Sequence, residues 1–261
     1  MKQFFKILGL SAIILFSFYY TEKMALLVSS KNHLMVTLRE EALSKEVKFV
    51  NAEINGNSIV PGQNGRVLNI QKSYQKMKGF GTINDYYLIF DEIKPEVSVE
   101  KNKDKIIIKG NKNKMAVSFV IDNNESVKNF FLENKIAGTV VTHLDSFKIE
   151  DLDQINGESD KQNFSDMESI LNKYKKNINI CLVNELNKEI CVKNKKYLVS
   201  QTVILNSSNI SMIKPHVESG LIILIKEGAK VDDVNILMKQ IEFKGLKIIS
   251  LKEMINEAYK D

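Results

Sequence analysis

The C-terminal half of the chain contains short apolar segments that alternate with segments of helical spacing. The predicted strands are predominantly apolar and bounded by polar residues; they cover residues 116–121, 137–142, 178–183, 202–205 and 221–225. Strands that lack a polar face are buried on both sides, which is typical of a parallel sheet or an α/β barrel. The pattern therefore predicts an α/β domain over residues 111–261.

Helix signals are clearest near the end of the chain. Residues 234–241 place apolar side chains at positions i, i+3, i+4 and i+7, and Gly245 follows as a stop signal. Ser250 and Glu253 have the spacing of a capping box and predict the start of a final helix. Residues 126–134 predict another helix, between the first two strands.

Residues 49–110 have a different pattern, with short β segments separated by turns. Asn55-Gly56 favours a tight turn, so residues 50–54 and 58–60 are predicted to form a hairpin. A short helix is predicted over residues 70–77. Further strands are predicted at residues 86–90, 97–99 and 105–108. We interpret residues 49–110 as a small β-rich module whose core is too modest to stand without its neighbour.

The N-terminal sequence predicts the cellular compartment of the protein. Lys2 and Lys6 precede an apolar run over residues 7–20, which is shorter than the roughly 20 residues of a full span and would also suit a signal peptide. Because no small-residue cleavage signal closes the run, we expect residues 1–28 to be a retained transmembrane anchor, followed by a spacer over residues 29–48. The lysines place the N-terminus in the cytoplasm and the rest outside the cell membrane. The alternatives are a secreted protein and a buried N-terminal helix of a cytosolic one.

The amino-acid composition further limits the class of protein and its expected partners. The 261 residues are 44% hydrophobic and 26% charged, enough for a folded core in one large or two small domains. The formal net charge is +5, yet all 37 basic residues except Arg39 and Arg66 are lysines. Since no basic run is interleaved with aromatic residues, we expect no nucleic-acid partner. Cys181 and Cys191 are too few for a four-ligand zinc site; outside the cell they either pair or stay free, and the sequence leaves both open.

Several segments of the C-terminal domain resemble the polysaccharide deacetylase family of carbohydrate esterases. Ala116-Val-Ser-Phe-Val-Ile-Asp-Asn-Asn-Glu125 stands where the family has V-A-L-T-F-D-D-G-P, and residues 130–141 are similar to its helix and second strand. Gly220-Leu-Ile-Ile-Leu-Ile-Lys-Glu227 is similar to G-x-I-I-L-L-H-D, and residues 243–251 to the closing strand. The resemblance covers residues 114–256 and implies a degenerate (β/α) barrel. Divergent members from low-GC Gram-positive bacteria are the nearest in pattern, in agreement with the lysine-rich composition.

The resemblance implies a metal-dependent hydrolase of N- or O-acetylated sugars, but it also implies that the catalytic set is incomplete. The family's general base corresponds to Asp122, whereas its metal-binding Asp corresponds to Asn123 and its late catalytic His to Lys226. No histidine occurs between Phe147 and Tyr197, where the family's metal-binding pair belongs. We therefore expect no metal cofactor and no catalysis. Without a metal, Lys226 is expected to face Asp122 as an ion pair or to stay independently solvated.

The sequence leaves three functions open. The favoured one is an inactive, deacetylase-like binding or structural module at the cell envelope, with cell-wall glycan or an envelope protein as partner. The second is an active deacetylase or esterase with an atypical site, in which His143 and Asp145 would help to hold a divalent metal such as zinc. The third is a membrane protein whose β-rich module binds a partner while the α/β domain serves as a scaffold.

Overall fold

The computed structural model describes residues 2–30 and 32–259, except the side chains of residues 2–8, 22 and 25–30. The elements in chain order are α1 (Lys2–Ser30), α2 (His33–Lys45), β1 (Glu53–Asn55), β2 (Ser58–Val60), β3 (Gly65–Leu68), α3 (Ile70–Met77), β4 (Phe90–Ile93), β5 (Ile106–Ile107), β6 (Ala116–Ile121), α4 (Glu125–Glu133), β7 (Thr139–Thr142), β8 (Asp153–Asn156), α5 (Lys161–Lys173), β9 (Ile180–Leu182), α6 (Lys188–Lys193), β10 (Tyr197–Val199), β11 (Val203–Leu205), α7 (Ile210–Ile213), β12 (Ile222–Ile225), α8 (Val231–Phe243), β13 (Lys247–Ile248) and α9 (Leu251–Ile255). They form two units: Met1–Lys48 with Gly65–Ile93, and Phe49–Asn64 with Lys94–Asp261.

The first unit is built around the antiparallel pair β3–β4 and the helices α2 and α3. Asn32 caps α2 by accepting a hydrogen bond from the backbone N–H of Leu34. Leu34 and Leu38 of this helix are buried in a small apolar cluster with Leu68 and Met77. The helix α3 begins and ends where the sequence predicts.

The helix α1 exposes its described apolar side chains. They include Leu10, Ile13, Ile14, Leu15, Phe16 and Phe18. Among the described residues, no helix is long and apolar enough to span a membrane, so the structure does not support the predicted transmembrane helix. Part of the predicted anchor, namely Met1 and the side chains of residues 2–8, 22 and 25–28, lies outside the described residues.

The second unit is an α/β structure with parallel strands. One sheet has the order β11-β12-β6-β7-β8, with β13 beside the start of β6, and all its pairs are parallel. The other has the order β1-β2-β5-β10-β9, in which the β1–β2 hairpin is the antiparallel pair. The predicted α/β class is confirmed.

The two sheets of this unit bury their inner faces in one core. Ile59, Ile107 and Val199 enter it from one sheet, and Val120 and Ile222 enter it from the other. The opposite face of the β6 sheet packs beneath the helices α4 and α8 in a second core. Because both faces of the central strands are covered, β6 is buried at every position, as its predominantly apolar sequence predicts.

The residues predicted as a β-rich module are divided between the two units. The strands β1, β2 and β5 belong to the sheet of the second unit because β5 pairs in parallel with β10. Residues 65–93 belong to the first unit instead. The division depends on strand pairing between residues far apart in the chain, which local pattern does not reveal.

Two of the predicted strands in this region are misplaced. Residues 86–90 were expected to be extended, but Asn84 accepts a hydrogen bond from Tyr86 N and starts a short 3₁₀ turn, and the strand β4 begins only at Phe90. Val97 lies outside any strand because its N–H donates to the side chain of Asn51. Local side-chain hydrogen bonds have replaced ladder bonds at both places.

Candidate functional site

The carboxyl ends of β6, β7 and β8 meet at one edge of the sheet and place the chemistry-bearing residues there. Asp122 follows β6 directly, and its backbone N–H continues the pairing with β12 by donating to Ile225 O. Asn124 then caps α4 by accepting from Val127 N, and its amide donates to the carbonyl oxygens of Lys226 and Ala229. The turn is thereby fixed, and the side chain of Asp122 remains 23% exposed.

His143 follows β7 and faces Asp122. Its Nε2 atom lies 3.5 Å from Oδ1 of Asp122. Both atoms are buried, and neither has a regular hydrogen-bond partner, so the contact is electrostatic rather than a well-aligned hydrogen bond. A Cβ atom at Gly157 would lie 2.5 Å from Cε1 and 2.7 Å from Nε2 of His143, so the glycine leaves the space that the imidazole occupies.

Glu158 lies on the other side of the imidazole ring. Its Oε1 atom is 3.9 Å from Nδ1 of His143 and accepts a hydrogen bond from Leu144 N. Glu158 was not predicted as a site residue, because polar side chains interrupt the apolar pattern of β8 and conceal the strand. The sequence signal that could have indicated Glu158 was the glycine directly before it, Gly157. His143 is therefore held between two carboxylates.

This arrangement favours a charged imidazole. The carboxylate of Asp122 is the main cause that raises the pKa of His143 above its usual 6.5; Glu158 and Asp145 add smaller contributions, whereas burial opposes them. When it is protonated, the imidazole places its positive charge beside the carboxylate of Asp122.

The other predicted site residues, Asn123 and Lys226, take no part in the Asp122–His143 pair. Asn123 is exposed and has a left-handed backbone with φ of 49°. Lys226 follows β12 and is also exposed, and among the described ion pairs Asp122 is joined to His143 rather than to Lys226. No direct Asp122–Lys226 ion pair occurs among the described residues, and the exposure of Lys226 agrees with the alternative of an independently solvated side chain.

The metal implied by the family resemblance does not fit this donor set. Nε2 of His143 and Oδ1 of Asp122 face one another, but Glu158 lies at the opposite ring nitrogen and Asp145 is exposed. Catalytic zinc needs three protein ligands and structural zinc needs four. In the part of the chain that the structure describes, no group of three or more His, Cys, Asp or Glu side chains is placed to share a metal ion.

The two cysteines are joined by a disulfide. Cys181 lies on β9 and Cys191 on α6, with Cα atoms 6.1 Å apart, and both are buried. The sequence left this pairing open. It ties the helix α6 to the sheet beside the inner core.

The fold of the chain is similar to that of solved proteins of carbohydrate esterase family 4 (CE4). Wild-type BA3943, a CE4 family pseudoenzyme from Bacillus anthracis, superposes with a TM-score of 0.58 at 15% identity, over 88% of this chain and 98% of BA3943. A BA3943 mutant with restored enzymatic activity also has a TM-score of 0.58, over 87% of this chain and 99% of the mutant. At 15% sequence identity, the similarity establishes the fold alone. At the level of the fold, it confirms the predicted resemblance to polysaccharide deacetylases.

One curated protein matches in sequence as well. The chain is 38% identical over 95 residues to the uncharacterized protein YlxY of Bacillus subtilis (strain 168), a match that covers 36% of this chain. It spans 30% of the length of YlxY. No protein-family model matches the chain.

Proposed function

We propose that this chain is a catalytically inactive, deacetylase-like protein that acts as a binding or structural module at the cell envelope. The observation that carries the proposal is the Asp122–His143 pair. A general base must be free to take a proton from water, whereas Asp122 faces an imidazole that favours the charged form. The exposed Asn123 and Lys226 supply neither a metal-binding carboxylate nor a histidine acid at the corresponding places.

The comparison with BA3943 supports this proposal. That protein is described as a CE4 family pseudoenzyme, and a mutant of it as one with restored enzymatic activity. Loss of catalysis is therefore compatible with retention of this fold.

We further propose that the chain is anchored to the cell membrane through its N-terminal helix, with the second unit on the outer side. Leu15, Phe16 and Phe18 on α1 are 70%, 70% and 73% exposed, and such a surface is more stable in an apolar environment than in water. A disulfide between Cys181 and Cys191 is also typical of an oxidising compartment. Cell-wall glycan and a second envelope protein are the partners that this location offers.

Acetate release tests the proposal. The full-length chain, purified in detergent with and without added zinc, is incubated with N-acetylated chito-oligosaccharides and peptidoglycan fragments. We expect no acetate above the level of the Asp122→Ala variant. Zinc-dependent release that Asp122→Ala abolishes would instead establish the second function, an active deacetylase with an atypical site.

A further inference from the structure

Three aromatic side chains of the first unit lie together on its surface. Phe80, Tyr86 and Tyr87 are 65%, 91% and 36% exposed. The rings of Phe80 and Tyr87 stack with their centroids 5.5 Å apart, and Tyr86 meets Tyr87 edge to face at 6.2 Å. These three residues form the aromatic patch. Because large apolar rings are more stable when they are shielded from water, an exposed cluster of this kind is typical of an interaction surface.

The turn that carries the aromatic patch is held in place by specific contacts. The side chain of Asn84 accepts a hydrogen bond from Tyr86 N, and the backbone N–H of Asn84 donates to the sulfur of the buried Met77. Asp85 accepts a hydrogen bond from Nζ of Lys45, the last residue of α2. The fold of the first unit therefore fixes the aromatic rings at its surface.

The sequence around the aromatic patch is positively charged. Residues 70–87 contain three lysines and one acidic residue, Asp85, which gives a net charge of +2. Lys76 and Lys78 are exposed at the end of α3, shortly before Phe80, and among the described residues neither forms an ion pair. Exposed aromatic rings beside unpaired ammonium groups match the interface of an anionic bilayer, where rings lie at headgroup depth and lysines meet phosphate groups.

The aromatic patch is also within reach of the proposed membrane anchor. Two residues separate α1 from α2, whose 13 residues rise by about 20 Å. Lys45 at the end of α2 contacts Asp85 beside the patch. Val36 and Leu43 are exposed on α2 and lie seven positions apart on one face, which suits a helix that lies along a bilayer surface. A bilayer that holds α1 can therefore also contact the aromatic rings.

We propose that the aromatic patch, together with Lys76 and Lys78, binds the surface of a bilayer that contains anionic phospholipids. Phe80 and Tyr86 enter the headgroup region, and the two ammonium groups pair with lipid phosphates. The proposal rests on the proposed anchoring of the chain in the cell membrane. It adds a second contact, which holds the first unit against the lipid surface.

The test uses the absence of tryptophan from the chain, because Phe80→Trp then gives a single fluorescent reporter in the patch. The full-length variant is reconstituted into phosphatidylcholine vesicles with or without phosphatidylglycerol. A phosphatidylcholine brominated on its acyl chains serves as a quencher inside the bilayer. Leu186→Trp is the matched reporter outside the patch, since Leu186 is 76% exposed and directly follows an acidic residue, Glu185.

Charge variants in the Phe80→Trp background test the role of the lysines. Lys76→Glu/Lys78→Glu reverses both charges beside the patch. Lys239→Glu/Lys247→Glu makes the same change in net charge at two exposed lysines elsewhere in the chain and is the matched control. Flotation of the vesicles in a density gradient measures the membrane anchoring separately.

We expect vesicles with phosphatidylglycerol to shift the emission of the Phe80→Trp reporter to shorter wavelength, and the brominated lipid to quench it at least twofold. Lys76→Glu/Lys78→Glu, or salt raised to about 0.5 M, should remove at least half of this quenching because the attraction to the lipid phosphates is lost or screened. The Leu186→Trp reporter should remain unquenched, and Lys239→Glu/Lys247→Glu should leave the quenching of the Phe80→Trp reporter unchanged.

The outcomes separate this proposal from the proposed anchoring. A chain that floats with the vesicles while the Phe80→Trp reporter stays unquenched would overturn the lipid contact and leave the anchor intact. A shift to shorter wavelength without quenching would show that protein covers the patch, and it would also overturn the proposal. Quenching on phosphatidylglycerol vesicles by a chain that does not float with phosphatidylcholine alone would support the patch and contradict the anchor. Failure to float with either vesicle would contradict both.

Discussion

Nε2 of His143 and Oδ1 of Asp122 lie 3.5 Å apart at the edge where β6 and β7 end. Asp122, which the family resemblance aligns with a catalytic base, thus faces an imidazole whose pKa its carboxylate raises. At 27% and 23% exposure, the two side chains are partly shielded from water, so their attraction is less screened than that of a surface pair.

The Asp122–His143 pair makes the free energy of unfolding depend on pH. Because the pKa of His143 is raised in the folded state, the stabilisation is fully present below the unfolded value of about 6.5 and is lost as the pH rises through the folded pKa. An NMR titration of the imidazole should give a value above 6.5 that Asp122→Asn lowers. Asp145→Asn is the control and should lower it less, since Asp145 is the weakest of the carboxylate contributors. Equal effects of both variants would contradict this assignment.

Gly157 should be required for the position of His143. In Gly157→Ala the new Cβ would lie 2.5 Å from both Cε1 of His143 and Cγ1 of Val141, so the imidazole must shift and its contact with Asp122 is disturbed. We expect the variant to lower the pKa of His143 and to destabilise the fold by about 1 to 3 kcal/mol, the cost of overpacking. Gly79→Ala, where a Cβ meets nothing within 4 Å, is the matched control for urea unfolding. An unchanged imidazole titration in Gly157→Ala would show that the site is less tightly packed.

Lys128 should contribute more to stability than a surface lysine. Burial lowers its pKa, but the hydrogen bonds to Glu125 and Glu150 outweigh burial and raise it. Lys128→Met leaves Glu150, which is 14% exposed, without its cation, so we expect a loss of about 2 to 4 kcal/mol in the free energy of unfolding.

A double-mutant cycle with Glu150→Gln separates the pair from the packing of the lysine stem. The double variant should be more stable than the sum of the single losses indicates, by about 1 kcal/mol or more. Lys148→Met, at an exposed lysine of the same segment, should change stability by no more than about 0.5 kcal/mol. Additive losses would indicate that Lys128 contributes through packing alone.

The disulfide should stabilise the second unit. Cys181 and Cys191 are ten residues apart in sequence, and closing a loop of this size contributes about 2 to 3 kcal/mol. The Cys181→Ala/Cys191→Ala variant should lose this amount in urea unfolding under oxidising conditions. Dithiothreitol should lower the free energy of unfolding of the wild type to that of the variant, and it should leave the stability of the variant unchanged. Equal stability of the two oxidised proteins would show that the bond is absent in solution.

The sequence by itself determined the elements that depend on local pattern. The strand β6 was predicted over its exact residues because five of its six positions are apolar, and the stop at Gly245, with φ of 67°, depends on glycine alone. Ser250 accepts the predicted hydrogen bond from Glu253 N at the start of α9. The β1–β2 hairpin also formed at Asn55-Gly56, where the turn requires a positive φ.

Only the tertiary structure decided which residues meet. The strand β8 was missed because Asp153, Gln154 and Asn156 interrupt its apolar pattern, and the missed strand carries Glu158 at its end. His143 faces Asp122 because parallel pairing brings the ends of β6 and β7 together, across 21 positions of sequence. Pairing and side-chain contacts of this kind depend on residues distant in the chain, and no local spacing encodes them.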